Sequence, residues 1–191
     1  MTTLIALLRG INVGGRHRVS MADLRVVFAA AGGRDVSTYI QSGNVVFAHS
    51  TGSLERLAVE LEERIGAVAG FAVPVILRSA EDLAAVVRDN PFAGSAPTKL
   101  LVAFLAEAPA AGALDLVDRT LFAPEELVLT GREVYLHLPE GAGRAKLPRA
   151  LDALIGTRST TRNWRTVTKL LELARGPRTR PRRSPDDTIS R

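Results

Sequence analysis

The sequence predicts an α+β protein built of two tandem units, each running strand, helix, strand, strand, helix, strand. Three observations predict it. Residues 3–8, aliphatic from Leu4 onward, are too short for a helix and alternate too little for a half-exposed strand, so they read as a strand buried on both faces. Ser42-Gly43 and Thr130-Gly131 each sit between apolar, β-branched runs, which is the pattern of a tight hairpin. Amphipathic stretches recur in the same order around both hairpins.

Taken in order, the first strand empties into a polar, glycine-rich loop, and Ser20 followed by Asp23 marks a helix start. Met21, Leu24, Val27, Phe28 and Ala31 keep helical spacing up to Gly32-Gly33, which predicts a helix over residues 21–31. Strands over residues 36–40 and 45–48 flank the first hairpin turn. Leu54, Leu57, Leu61, Ile65 and Val68 share one face of a second helix, and residues 73–77 read as a strand. This order is the split βαβ of ferredoxin-like units, with antiparallel sheets. A short helix over residues 79–88 and a linker, residues 89–98, follow. The order then restarts: a strand over residues 100–105, a helix over 111–121, a hairpin over 127–138, a helix over 147–155 and a short strand near 159–161. A C-terminal helix places Trp164, Val167, Leu170, Leu171 and Ala174 on one face. The expected organisation is a first unit over residues 1–78, a connection over 79–98, a second unit over 99–175 and a tail over 176–191.

Composition limits the function classes. With 46% hydrophobic and 24% charged residues in 191, the chain reads as globular. No apolar run approaches the roughly 18 residues that span a bilayer, and no signal peptide is visible, so a cytoplasmic protein without a membrane partner is the expectation. There is no cysteine, and His17, His49 and His137 lack ligand spacing, so neither a metal nor another cofactor is expected. The net charge of +5 is mostly a property of the tail, where five Arg oppose two Asp. That tail is rich in proline and poor in apolar residues, and it reads as disordered.

The topology makes a further prediction. In a split βαβ unit the loop after the first strand and the first hairpin turn lie at one end of the sheet, on neighbouring strands. Arg9, Asn12, Gly14, Gly15, Arg16 and Arg18 are therefore expected to face Tyr39, Gln41, Ser42 and Asn44. Arginines, amides and glycine backbone suit an anion or a phosphate. The same residues also suit plain turn-making. A second polar cluster near residue 162 has Asn163 as a natural helix cap, while Arg162 and Lys169 could extend the ligand surface.

Three ordered motifs carry a family resemblance: LLRGINVGG at residues 7–15, TYIQSGNVVF at 38–47 and TTRNWRTVTKL at 160–170. With these the chain resembles the bacterial proteins of the domain-of-unknown-function 1697 family. The resemblance spans nearly everything but the tail and implies a cytoplasmic α+β protein with no assigned activity. Where the family pattern has Lys-Asn after the glycines, this chain has Arg16-His17, which removes an amine nucleophile from that position.

The functional expectation is binding of an anionic or phosphorylated small molecule at the 9–19 loop and the 39–44 hairpin. A nucleic-acid-binding module is the first alternative, weakened because the first strand offers no aromatic residues for base stacking. A non-catalytic scaffold or oligomerisation protein is the second. No nucleophile, acid pair or metal set stands out, so the sequence leaves open whether the protein is an enzyme, and it is silent on oligomeric state.

Overall fold

The structure, a computed structural model, describes residues 1–15, 17–115 and 117–176. Arg16 and the tail beyond residue 176 lie outside the described residues. The fold is α+β, with two four-stranded antiparallel sheets and, among the described residues, five α-helices.

Strand β1 (Thr2–Leu8) lies between β3 (Asn44–His49) and β4 (Val75–Ser79), with β2 (Arg34–Tyr39) at the edge, giving the order β2-β3-β1-β4. Leu4 to Leu8 are 0–1% exposed because each face of the strand has its own core. Leu4, Ala6 and Leu8 point toward α1 (Met21–Ala30) and α2 (Leu54–Ala69), whereas Ile5 and Leu7 point toward the second sheet. The expected caps are in place. Asp23 N donates to Ser20 Oγ at 3.0 Å, and a reciprocal Ser79–Asp82 capping box opens α3 (Ala80–Arg88).

The second sheet repeats the order as β6-β7-β5-β8, from β5 (Leu100–Leu105), β6 (Glu126–Thr130), β7 (Glu133–His137) and β8 (Ser159–Asn163). Helix α4 (Leu147–Ile155) covers its outer face through Leu147, Leu151 and Ile155. Helix α5 (Trp164–Arg175) follows β8 as α3 follows β4, and Thr166 N donates to Asn163 Oδ1 at 2.8 Å to start it. The inner faces of the two sheets share one core, in which Ile5, Leu7, Val46 and Ile76 meet Val102, Phe104 and Tyr135, closed by residues of α3 and α5.

One expected element is absent. Residues 111–121 were expected to be helical, but the described part of this stretch is a series of turns ending in a short 3-10 helix, Arg119–Phe122. Gly112 sits at φ +76°, outside the helical region, and Asp118 Oδ1 accepts from Thr120 N at 3.0 Å to begin the 3-10 turn instead. The spacing of Leu114, Val117 and Phe122 still serves burial, since all three pack on the outer face of sheet two.

Tyr135 ties the halves across the central core. Its phenol donates to Val86 O at 3.0 Å, and burial, helped by the Glu133 and Asp89 charges, pushes its pKa up to about 12. The neutral phenol is therefore the form the fold prefers. Its contribution is fully present below the unfolded value near 10 and is lost as pH rises toward 12. An ultraviolet titration comparing wild type with Tyr135→Phe is expected to assign the later tyrosinate step, near pH 12, to Tyr135; ionisation already complete at pH 10 would show this core to be open to solvent.

Candidate functional site

At the end of β1 the chain is pinned on both sides, by Leu8 N to Gly43 O at 2.8 Å and Arg9 N to Pro74 O at 3.0 Å. Gly10 then turns at φ +74° and the loop leaves the sheet. Asn12, at φ +56°, closes that loop: its Nδ2 donates to Val19 O at 3.0 Å and to Gln41 O at 2.8 Å, and its Oδ1 accepts from Val19 N at 3.0 Å. Asparagine suits this position because it tolerates left-handed backbone and its amide substitutes for a turn. The loop and the first hairpin thus meet at one end of the sheet.

Arg162 enters the same place from the second sheet. It lies on β8 opposite Val102 and is 8% exposed. Its Nε donates to Asn44 Oδ1 at 2.5 Å, Nη1 to Thr160 Oγ1 at 2.8 Å and Thr161 O at 2.9 Å, and Nη2 to Leu8 O at 2.7 Å. Longer contacts of 3.3 Å reach Ser42 O and Gly43 O. Asn44, itself 0% exposed, is held with its oxygen toward Arg162 because its Nδ2 donates to Tyr39 O and Ser42 Oγ, both at 3.0 Å.

The other half contains the counterpart. Arg78 on β4 lies opposite Ile5 and reaches into the second hairpin, with Nε to Glu133 Oε1 at 2.7 Å and Nη2 to Leu105 O at 2.7 Å and Arg132 O at 3.2 Å. Asn44 and Glu133 hold matching places, paired with Leu7 of β1 and Phe104 of β5. Each half therefore sends a fourth-strand arginine into the hairpin of the other. The difference is charge. Arg78 meets a carboxylate, whereas Arg162 meets an amide and carbonyls, and among the described residues no carboxylate pairs with it. Burial without a counter-charge pushes the Arg162 guanidinium down to about 10, which still leaves it cationic at neutral pH.

A cleft of about 350 Å³ opens here, lined by Leu8, Arg9, Gly10, Ile11, Val13 and Ser42 from the first half and by Pro148, Asp152 and residues 159–162 from the second. Gly10 and Ile11 find no acceptor for their N–H groups among the described residues, although Ile11 is 2% exposed. Gly10 is exposed, and two successive N–H groups without an acceptor can serve an anion. Arg9 bridges the cleft, paired with Asp152 and donating through Nη1 to Ser159 O at 2.9 Å, while Ser159 Oγ donates to Asp152 Oδ1 at 2.6 Å. Burial raises the Asp152 pKa, but the hydrogen bonds from Arg9 and Ser159 and the Arg9 charge outweigh it and hold the carboxyl below its ordinary value.

The structure brings together Arg9, Ser42, Asn44 and Arg162, with Tyr39 supplying only its carbonyl to Asn44. Asn12 and Gln41 join to each other beside them. Gly14, Gly15 and Arg18 are exposed on the loop. Asn163 caps α5, and Lys169 pairs with Glu172 at 2.9 Å on the same helix. Asp152 and Ser159 escaped the sequence reading, and no local signal marks them, since Arg9 and Ser159 stand 150 residues apart. A smaller cleft of about 250 Å³ lies near Phe92, Phe122 and Leu127, but its Glu125 carboxylate is committed to Lys146 N and Leu147 N, each at 2.8 Å. Among the described residues no group of three His, Asp or Glu is placed to hold a metal ion, and no helix is long and apolar enough to cross a membrane.

A family model for proteins of unknown function, DUF1697, matches residues 1–135. A solved structure of a conserved bacterial protein, SP0830 from Streptococcus pneumoniae, is similar with a TM-score of 0.72 and 25% identity, covering 92% of this chain and 99% of that one. A search of curated proteins finds no match.

Proposed function

We propose a function for a chain that belongs to the DUF1697 family, whose members are proteins of unknown function, so the reading rests on the cleft and not on membership. The protein binds a small anionic molecule, best a phosphorylated one, between the loop after β1 and the strand β8. One observation carries this: Arg162 is a buried cation facing an amide where its counterpart Arg78 faces a carboxylate. An anion about 5 Å from such a charge gains roughly 3 kcal/mol at an effective dielectric near 20. An exposed pair is worth about 0–1 kcal/mol, so the buried charge dominates over Arg9. The free N–H groups of Gly10 and Ile11 supply directed donors, which Arg162, its own donors engaged, does not.

The reading stops at binding. Ser159 Oγ touches a carboxylate, but Asp152 is held below its ordinary pKa and is a weak base, so the hydroxyl is not activated as a nucleophile. The shared strand order of the two sheets also supports reading the chain as a duplicated ferredoxin-like unit whose copies have diverged at this position.

The test is Asn44→Asp, which gives Arg162 a carboxylate in the same volume. Calorimetric titration with inorganic phosphate is expected to show affinity for wild type and a loss of tenfold or more in the variant, about the worth of one charge-assisted interaction. Equal affinities in the two proteins, or failure of wild type to bind inorganic phosphate and every phosphate ester tried, would reject the reading.

A further inference from the structure

The two walls of the cleft differ in what they offer a ligand. One wall holds Gly10 and Ile11, whose N–H groups find no acceptor among the described residues, and Arg162, whose Nη2 donates to the nearby Leu8 O at 2.7 Å. On the other lies Asp152, whose half-exposed carboxylate accepts from Arg9 and, at 2.6 Å, from the Ser159 hydroxyl and keeps acceptor capacity beyond those two bonds. A bare anion satisfies the first wall and meets a negative charge at the second. A ligand with an anionic end and a hydrogen-bond donor satisfies both.

Building on the anion-binding reading, we infer that the ligand is a small phosphate ester carrying a hydroxyl group near its phosphate, with the phosphate on the Gly10–Ile11 wall and the hydroxyl donating to Asp152. The donor is a hydroxyl and not an ammonium, because Asp152 is already paired with Arg9 and a second cation there would face both Arg9 and Arg162. The ligand is small because the cleft holds about 350 Å³ and no aromatic side chain lines it to stack a base. This places it among phosphorylated polyols and short sugars.

Four probes distinguish the classes by calorimetry on the full chain: inorganic phosphate, n-propyl phosphate, glycerol 3-phosphate and phosphoethanolamine. Glycerol 3-phosphate is expected to bind about tenfold tighter than n-propyl phosphate, which has the same length but no hydroxyl. Asp152→Asn, checked for an unchanged melting transition, is expected to shrink that ratio while leaving n-propyl phosphate binding the same or tighter. The comparison of probes on wild type stands even if this variant folds poorly. Equal binding of the propyl and glycerol esters would overturn the inference while leaving the anion site in place. Tighter binding of phosphoethanolamine would replace the hydroxyl by an ammonium and overturn it too. Failure of all four to bind would reject the anion-binding reading itself.

Discussion

Arg162→Met is expected to destabilise the protein by about 3–5 kcal/mol, measured by urea unfolding, although it removes no salt bridge, because it strands several buried acceptors. Arg162 is 8% exposed, and its guanidinium serves acceptors of both halves: Asn44 Oδ1, Leu8 O, Thr160 Oγ1 and Thr161 O, with Ser42 O and Gly43 O at longer range. Methionine fills much of the stem volume and leaves these oxygens buried without a donor, at about 1–3 kcal/mol for each one that cannot turn to water. Relief of the buried charge offsets part of that. The offset explains why the expected loss stays far below the sum of the bonds. A loss under about 1 kcal/mol would mean that water replaces the guanidinium and that the halves are not held together here. Arg162→Lys is not a rescue, since one ammonium cannot reach acceptors spread around a planar fork.

Gly43→Ala is the second large effect, expected at about 3 kcal/mol by the same measurement. Gly43 sits at φ +77°, where a Cβ costs roughly 1–2 kcal/mol in backbone strain. That Cβ would also lie 2.7 Å from Leu8 Cβ and 2.8 Å from Ile11 Cδ1, and the first of these is fixed to the central strand. Overpacking of this kind adds about 1–3 kcal/mol. Relief by moving the turn would displace Ser42 O and Gly43 O from Arg162, so stability and anion affinity are expected to fall together. Gly14→Ala is the contrast. Its φ is +59° but nothing lies within 4 Å of the added atom, so only the strain of about 1 kcal/mol applies. Similar losses in both variants would show that the hairpin yields and that Gly43 is not clamped between Leu8 and Ile11.

The elements that depend on local chemistry were legible from the residues alone. An aliphatic run such as residues 4–8 has no stable place except between two cores, and it lies there, Leu4 and Ile5 facing opposite sides. Hairpins at Ser42-Gly43 and Thr130-Gly131, and caps at Ser20, Ser79 and Asn163, follow from backbone preferences within a few residues. From the antiparallel pairing of β1 with β3 it also follows that the loop and the hairpin share one end of the sheet. Where local signals conflict, the tertiary structure decided. The apolar spacing of residues 111–121 resembles a helix, but Gly112 and Asp118 favour turns, and the apolar residues are buried against sheet two without one.

The chemistry of the cleft belongs almost wholly to the tertiary level. Asn44 and Arg162 read as members of two separate polar clusters until the sheets pack face to face and bring them, 118 residues apart, to 2.5 Å. The same packing sets Arg78 against Glu133 and Arg9 against Asp152. Side-chain partners at such separation depend on how two cores dock, and docking is governed by non-directional apolar contact between Ile5, Leu7, Val102 and Phe104, which carries no trace of which polar groups it will enclose.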